Sequence, residues 1–137
     1  MSPLIDSLYA IVDAEVADHP LALTFQALNA GCAVVQLRAK SLDDVAFLEI
    51  SKRMRSACTH AAVSFVINDR ADIARLVRAD GLHLGQDDLS NEDARHVVGN
   101  TQIGISTHTL EQAKAADEEG ADLIAFGPVF ATNTKEN

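Results

Sequence analysis

The most regular feature of the chain is an alternation of short apolar runs with longer amphipathic stretches. Six apolar runs have the length of β-strands, and five of the stretches between them have the hydrophobic spacing of helices. In the second stretch, Phe47, Ile50 and Met54 fall on one helical face, as expected of a helix with one side on a core. The predicted strands lie in LYAIVD, AVVQLRAK, SFVINDR, GLHLGQDD, QIGIS and DLIAFGPVF.

Local signals mark where the predicted helices begin and end. Ser41 and Ser90 are each followed three residues later by Asp, and Thr109 is followed at the same spacing by Gln112, which are patterns of helix N-caps and capping boxes. The segments NAGCAVV, RADGLHL and EEGADLI place Gly or Asp-Gly shortly before the next strand, as helix ends require. The sequence therefore predicts a serial βα repeat without a linker.

Strict alternation of strands and helices with short connections predicts a parallel α/β sheet. Such a sheet is either an open doubly wound sheet or most of a (βα)₈ TIM-type barrel. The segment IVDAEVADHP at the first strand contains no glycine, whereas a dinucleotide-binding sheet carries G-x-G-x-x-G there. We therefore expect a single domain, residues 1–137, that forms a TIM-type barrel truncated to about six βα units.

Composition narrows the range of partners. The chain has 137 residues, 47% of them hydrophobic, and a net charge of −9, which argues against nucleic-acid and anionic-membrane surfaces and favours small-molecule substrates. It has no apolar run of membrane-spanning length and no signal-peptide pattern at its start, so we expect a cytoplasmic protein. Cys32 and Cys58 lack CxxC spacing and are interpreted as structural thiols.

Polar side chains follow the predicted strands, at the edge where ligands bind in both architectures. They are Gln36, Arg38 and Lys40; Asn68, Asp69 and Arg70; Gln86, Asp87 and Asp88; Ser106 and His108; and Thr132, Thr134 and Lys135. Because neighbouring strands lie about 4.8 Å apart, Asp69 and either Asp87 or Asp88 can converge on one ion. Two carboxylates that leave room for phosphate oxygens suit Mg²⁺.

Each of these signals also has a simpler interpretation. Asp69 could be only a helix N-cap, and Asp87 and Asp88 could be a solvated acidic turn. His83 alternates with Leu82 and Leu84, so it is interpreted as an interior residue of a strand rather than a base. The shared location of the polar residues on one rim favours a diphosphate site over these alternatives.

Five segments together resemble the motifs of the thiamine phosphate synthase family. They are VVQLRAK, FVINDRADIA, ADGLHLGQDDL, IGISTHT and GADLIAFGPVFATNTK, and they fall in the family's order and spacing. The resemblance implies a (βα)₈ barrel that joins hydroxymethylpyrimidine diphosphate to thiazole phosphate and releases pyrophosphate. It also implies a dissociative reaction, in which the diphosphate leaves before the thiazole nitrogen attacks.

The resemblance assigns roles to individual residues. Carried over, it gives Mg²⁺ to Asp69 and Asp88 and gives the reacting diphosphate to Arg38, Lys40 and Lys135. The full set of implied substrate-binding residues is Gln36, Arg38, Lys40, Asn68, Ser106, Thr132, Asn133, Thr134 and Lys135. Within it, Thr132, Asn133 and Thr134 bind the thiazole phosphate.

The sequence departs from the family pattern at Ala39, Ala131 and Asn133 and has no counterpart of strands 7 and 8. On this interpretation the chain keeps the metal and diphosphate half of the site, with impaired turnover and self-association through open barrel edges. The alternatives are a non-catalytic partial barrel used for binding or assembly, and a thiazole tautomerase-like protein. The Asn68-Asp69 and Gln86-Asp87-Asp88 motifs favour the synthase over the tautomerase.

Overall fold

A computed structural model describes residues 8–133 of the chain. Within these residues, six parallel strands form one sheet in the order β1-β2-β3-β4-β5-β6, so each strand pairs with its neighbours in sequence. The strands are β1 Tyr9–Asp13, β2 Val34–Arg38, β3 Ser64–Asn68, β4 Gly81–Leu84, β5 Gln102–Thr107 and β6 Leu123–Phe126. Together they make a half-barrel, which agrees with the predicted strand count and parallel pairing.

The five helices connect successive strands and pack against one face of the sheet. They are α1 Pro20–Asn29, α2 Asp44–His60, α3 Ala71–Val77, α4 Asn91–Val98 and α5 Leu110–Glu118. The core combines Leu37, Phe65 and Ile103 from the strands with Phe47 and Met54 from α2. Alternate strand residues point to the opposite face, which we call the inner face. It carries polar side chains such as Gln36, His83 and Ser106.

Two of the three predicted helix starts are confirmed. The hydroxyl oxygens of Ser90 and Thr109 accept hydrogen bonds from the backbone N–H groups three residues later. The prediction for Ser41 is wrong, since α2 is capped by Asp43, whose carboxylate accepts the Ala46 N–H at 2.8 Å. Asp43 lies directly before the first helical turn, whereas Ser41 is two residues too early to reach its free amides.

The end of the sheet opposite the rim is held by two similar ion pairs. Asp80, just before β4, accepts hydrogen bonds from Arg55 Nη1 at 2.5 Å and from the Phe65 backbone N–H at 2.8 Å. Asp122, just before β6, accepts from Arg95 Nη2 at 2.9 Å and from the Ile103 N–H at 2.8 Å. Each carboxylate therefore joins a helix to the first residues of a neighbouring strand.

Both cysteines are buried free thiols, which confirms their structural interpretation. Burial, with smaller contributions from Cys32 and other neighbours, raises the pKa of Cys58 to about 12, so its reactive thiolate form is suppressed at neutral pH. Across residues 8–133, no helix combines the length and the apolar character needed to cross a membrane.

Removing the Asp80 carboxylate is expected to destabilise the fold. Asp80→Ala leaves the buried Phe65 N–H without its acceptor and Arg55 without its counter-ion, so we expect a loss of about 2 kcal/mol in the free energy of unfolding. The measurement is urea denaturation followed by circular dichroism. Glu49→Ala is the control, because it removes an exposed ion pair with Lys52 and is expected to cost less than about 0.5 kcal/mol. Equal costs for the two variants would contradict the assigned role of Asp80.

Candidate functional site

The carboxyl ends of β2 to β5 bring most of the predicted site residues onto one rim. The strands are parallel and paired in register, so residues at equivalent positions stand side by side, as Asn68 and His83 do across β3 and β4. The structure places Gln36 and Arg38 on β2, Asn68 at the end of β3, and Ser106 on β5. Lys40 follows β2 in the loop that leads to α2.

Lys40, Asp69 and Asp88 form a charged cluster at this rim. Lys40 Nζ lies 3.0 Å from Asp69 Oδ2, and the Asp88 carboxylate accepts the Gly85 backbone N–H at 2.7 Å. Burial raises the pKa of the Asp88 carboxyl, and a hydrogen bond with the neighbouring Asp69 carboxyl raises it further. Asp87, by contrast, is exposed, so the structure brings Asp88 rather than Asp87 to Asp69.

The backbone of Asp69 holds its side chain in this cluster. Asp69 has a φ of 66°, a left-handed conformation that Asp adopts more readily than most residues do. Its N–H donates to the His83 carbonyl at 2.8 Å, which ties the loop after β3 to β4. The N-cap position of α3 belongs to Arg70, so the interpretation of Asp69 as only a helix cap is wrong.

Arg38 is paired with a carboxylate that is not among the predicted site residues. Arg38 Nη1 lies 2.6 Å from Oδ2 of Asp13, its register partner at the end of β1. Asp13 closes β1, and a strand end taken alone does not show that its acidic residue faces an arginine on the next strand. The available signal is that Asp13 ends LYAIVD and Arg38 ends VVQLR. The two residues therefore occupy equivalent positions at the ends of neighbouring strands.

A second pair links the same two strands on the inner face. Gln36, which is 3% exposed, donates from Nε2 to the Tyr9 hydroxyl oxygen at 2.7 Å. Burial raises the pKa of Tyr9, although the hydrogen bond from Gln36 partly opposes this. The neutral phenol is therefore a fixed part of the inner wall. Tyr9 was also absent from the predicted site.

The side chains of His83 and Ser106 meet across β4 and β5. His83 Nε2 and Ser106 Oγ are 2.8 Å apart, and Gln86 Nε2 donates to the Ser106 carbonyl at 2.7 Å. The register partner of His83 is Gly104, where an added Cβ would lie 2.7 Å from His83 Nδ1. The imidazole ring thus occupies the space that the glycine leaves open. His83 is an interior strand residue, as predicted, but it touches a predicted substrate-binding residue.

The loop after β6 extends beyond this cluster. Thr132 and Asn133 are exposed, and the predicted residues Thr134 and Lys135 lie outside the described residues. His108 follows β5, as predicted, and its side chain contacts the start of this loop. Its Nδ1 is 2.6 Å from the Gly127 carbonyl oxygen.

The donor set fits a divalent cation bound by two carboxylates. Burial raises the pKa of Asp88 and the neighbouring Asp69 carboxyl raises it further, so the two carboxylates are close, and a cation between them would offset the charge of both. Residues 8–133 contain no group of three or more His, Cys, Asp or Glu side chains that could hold a metal. A cation here would therefore take its remaining ligands from water and substrate, as Mg²⁺ does.

Comparisons with known proteins agree on one family. The family model described as thiamine monophosphate synthase matches residues 8–137. A thiamine-phosphate synthase of Shouchella clausii is 39% identical over 93% of this chain and 63% of its own length. One from Pelotomaculum thermopropionicum is 44% identical over 82% of this chain and 52% of its own length.

Solved structures give the same result. A thiamine phosphate pyrophosphorylase from Pyrococcus furiosus matches with a TM-score of 0.87 and 33% identity, over 93% of this chain and 62% of that one. A dihydropteroate synthase from Anaplasma phagocytophilum, at 16% identity and a TM-score of 0.59, shares the fold. The chain thus spans between about half and two thirds of the length of these thiamine phosphate synthase relatives.

Filling the space beside His83 is expected to disturb the site. Gly104→Ala forces the imidazole away from Ser106, so we expect a loss of about 1–3 kcal/mol in the free energy of unfolding, measured by urea denaturation. The His83 ring signals in NMR spectra should shift at the same time. Ser106→Ala is the control, because it removes the hydroxyl without crowding and is expected to cost about 1 kcal/mol. Wild-type stability and unchanged ring signals in Gly104→Ala would contradict this packing.

Proposed function

Because the chain belongs to the thiamine monophosphate synthase family, we propose that it carries the diphosphate-binding part of a cytoplasmic transferase that makes thiamine phosphate. The proposed reaction joins hydroxymethylpyrimidine diphosphate to thiazole phosphate and releases pyrophosphate. The observation that carries the proposal is the convergence of Lys40, Asp69 and Asp88 on one rim. Two facing carboxylates beside an ammonium group suit a metal-bound diphosphate.

The chain's own residues would act mainly by binding the leaving group. Arg38 and Lys40 supply positive charge, and the Ser106 hydroxyl supplies a hydrogen-bond donor from β5, further along the rim. Charge develops on pyrophosphate as its bond to the pyrimidine breaks, so donors already held in place lower the barrier without rearranging. Gln36 and Asn68 complete the proposed pyrimidine diphosphate site. The segment after β6 is proposed to bind both phosphate groups: the thiazole phosphate through Thr132, Asn133 and Thr134, and the diphosphate through Lys135.

Asp69 and Asp88 are the residues that would hold Mg²⁺. When bound, Mg²⁺ would neutralise charge on the diphosphate and orient it. Lys40 is salt-bridged to Asp69, and a cation that draws on the same carboxylate would make the ammonium group more available to a phosphate oxygen. The metal and Lys40 would therefore act on the diphosphate together.

We further propose that the six strands are part of a (βα)₈ barrel. The parallel order of the strands and the TM-score of 0.87 to a longer relative support this. In such barrels a phosphate site commonly depends on loops after strands 7 and 8. The acceptor side of the reaction would then require more than the six strands described, whereas pyrophosphate binding would not.

Pyrophosphate binding tests the proposal directly. We expect the chain to bind pyrophosphate in the presence of Mg²⁺ in isothermal titration calorimetry, and Asp69→Asn or Asp88→Asn to weaken binding by about tenfold or more. Asn tolerates the left-handed backbone at position 69, so the change removes charge without adding strain.

Asp87→Asn is the matched control for this experiment. It removes the same charge from an exposed position one residue from Asp88, and affinity should stay within about twofold of the wild type. The assignment of the metal site would fail if all three variants behaved alike. The proposed function would fail if wild-type protein bound no pyrophosphate at millimolar concentration with Mg²⁺ present.

A second candidate function, assembly through the sheet edges, is favoured by one observation. Leu8 and Ile11 beside or within β1, and Phe126 in β6, are each more than half exposed. Strand edges with exposed apolar side chains favour pairing with another chain. We propose that these two outer strands pair with the outer strands of a second copy.

Analytical ultracentrifugation tests pairing between copies. If the edges pair between copies, this 137-residue chain should sediment as a dimer or larger species, and Ile11→Lys should shift it to a monomer, because a charged edge resists pairing. Val45→Lys is the control, since Val45 is an exposed apolar residue of α2. A monomer at high micromolar concentration would contradict pairing between copies.

A further inference from the structure

The pair formed by Asp13 and Arg38 carries an inference about how the rim is prepared for its ligand. We propose that Asp13 is a positioning residue, which holds the Arg38 guanidinium in the orientation that receives a diphosphate. The inference rests on the proposed function, because it concerns the same site. Asp13 itself would touch neither the diphosphate nor the metal.

The geometry of Asp13 makes it a fixed anchor. Its Oδ2 lies 2.6 Å from Arg38 Nη1, and its Oδ1 accepts the Glu15 backbone N–H at 2.9 Å. Its carbonyl oxygen accepts the N–H groups of Val16 and Ala17 at 3.2 and 3.0 Å. A carboxylate bonded through both oxygens, on a backbone that is itself bonded, can transmit its position to its partner.

The loop that carries Asp13 is also bound to the loop that carries Arg38. The Ala14 N–H donates to the Arg38 carbonyl at 2.8 Å, and the Ser41 N–H donates to Glu15 Oε1 at 2.7 Å. The two loops are therefore bonded to each other on either side of the ion pair. The loop that carries Asp13 is thus bonded to the segment that carries both Arg38 and Lys40.

Arg38 keeps the capacity to bind an anion in this arrangement. Guanidinium carries five N–H donors in a planar fork, and the bond to Asp13 uses one of the two terminal nitrogens. Both side chains are 25% exposed, so the pair lies at the rim rather than within the core. Fixing the fork before the ligand arrives reduces the entropy lost on binding.

Positioning and simple charge compensation predict opposite effects. If Asp13 only offsets the charge of Arg38, its neutralisation reduces repulsion of an anion, and pyrophosphate binds more tightly. If Asp13 orients Arg38, the same change releases the fork, and pyrophosphate binds more weakly. The sign of the change in affinity therefore separates the two roles.

The experiment is calorimetry of pyrophosphate with Mg²⁺ on the wild type and three variants of the full 137-residue chain. Asp13→Asn should weaken binding by about tenfold or more, while Asp13→Glu, which keeps a carboxylate, should recover at least part of the affinity. Asp18→Asn removes a charge from an exposed position of the same loop and should stay within about twofold. Melting temperatures check that the variants are folded.

Two results from calorimetry would overturn the proposal. One is tighter or unchanged binding by Asp13→Asn, which indicates charge compensation or no role. The other is an Asp13→Glu variant that binds pyrophosphate as weakly as Asp13→Asn does. A restored carboxylate that recovers no affinity is inconsistent with an orienting ion pair.

NMR of the arginine Nε–H group reports the order of the Arg38 side chain in the wild type without any ligand. In ¹⁵N-labelled wild type, Arg38, assigned through Arg38→Lys, should give a resolved Nε–H signal that exchanges slowly with water. An Arg38 signal that merges with those of mobile arginines would overturn the proposal. If that signal is resolved but the wild type binds no pyrophosphate, the orienting contact is supported and the proposed function alone fails.

Discussion

In-register pairing of six parallel strands is the constraint on which the site depends. Parallel strands end together, so the last residues of β1 to β5 meet on one rim although they are far apart in sequence. Register also determines which side chains touch. Asp13 stands beside Arg38, and His83 stands beside Gly104. A one-residue slip of any strand would move its polar residues to the helix-covered face.

Charge balance explains how an acidic chain could offer the proposed anion site. The net charge is −9, and the two cations of the β2 segment each face a carboxylate, Arg38 with Asp13 and Lys40 with Asp69. A bare diphosphate would meet these carboxylates as well as the cations. A divalent metal between Asp69 and Asp88 would change that balance, because it would add positive charge where the two acids repel each other.

The fold could be predicted from the sequence because its signals are local. Alternating strand and helix patterns, together with short connections, determine the parallel order, and Ser90 and Thr109 mark helix starts correctly. Ser41 failed because a neighbouring residue, Asp43, competes for the same role. The contacts of Tyr9, Asp13 and His83 could not be predicted with equal ease, because they depend on the relative register of two strands. No segment contains that information by itself.

The two carboxylates at the opposite end of the sheet indicate how this architecture can grow. Asp80 joins α2 to the start of β3, and Asp122 joins α4 to the start of β5. The same ion pair and backbone hydrogen bond thus recur about forty residues along the chain. A unit of two strands and their helices therefore contains the contacts that hold one of its helices to a strand. An engineered copy of such a unit would include the ion pair that stabilises the end of the sheet opposite the rim. If the sheet were lengthened by duplicating this unit, only the polar residues at the rim would have to be redesigned.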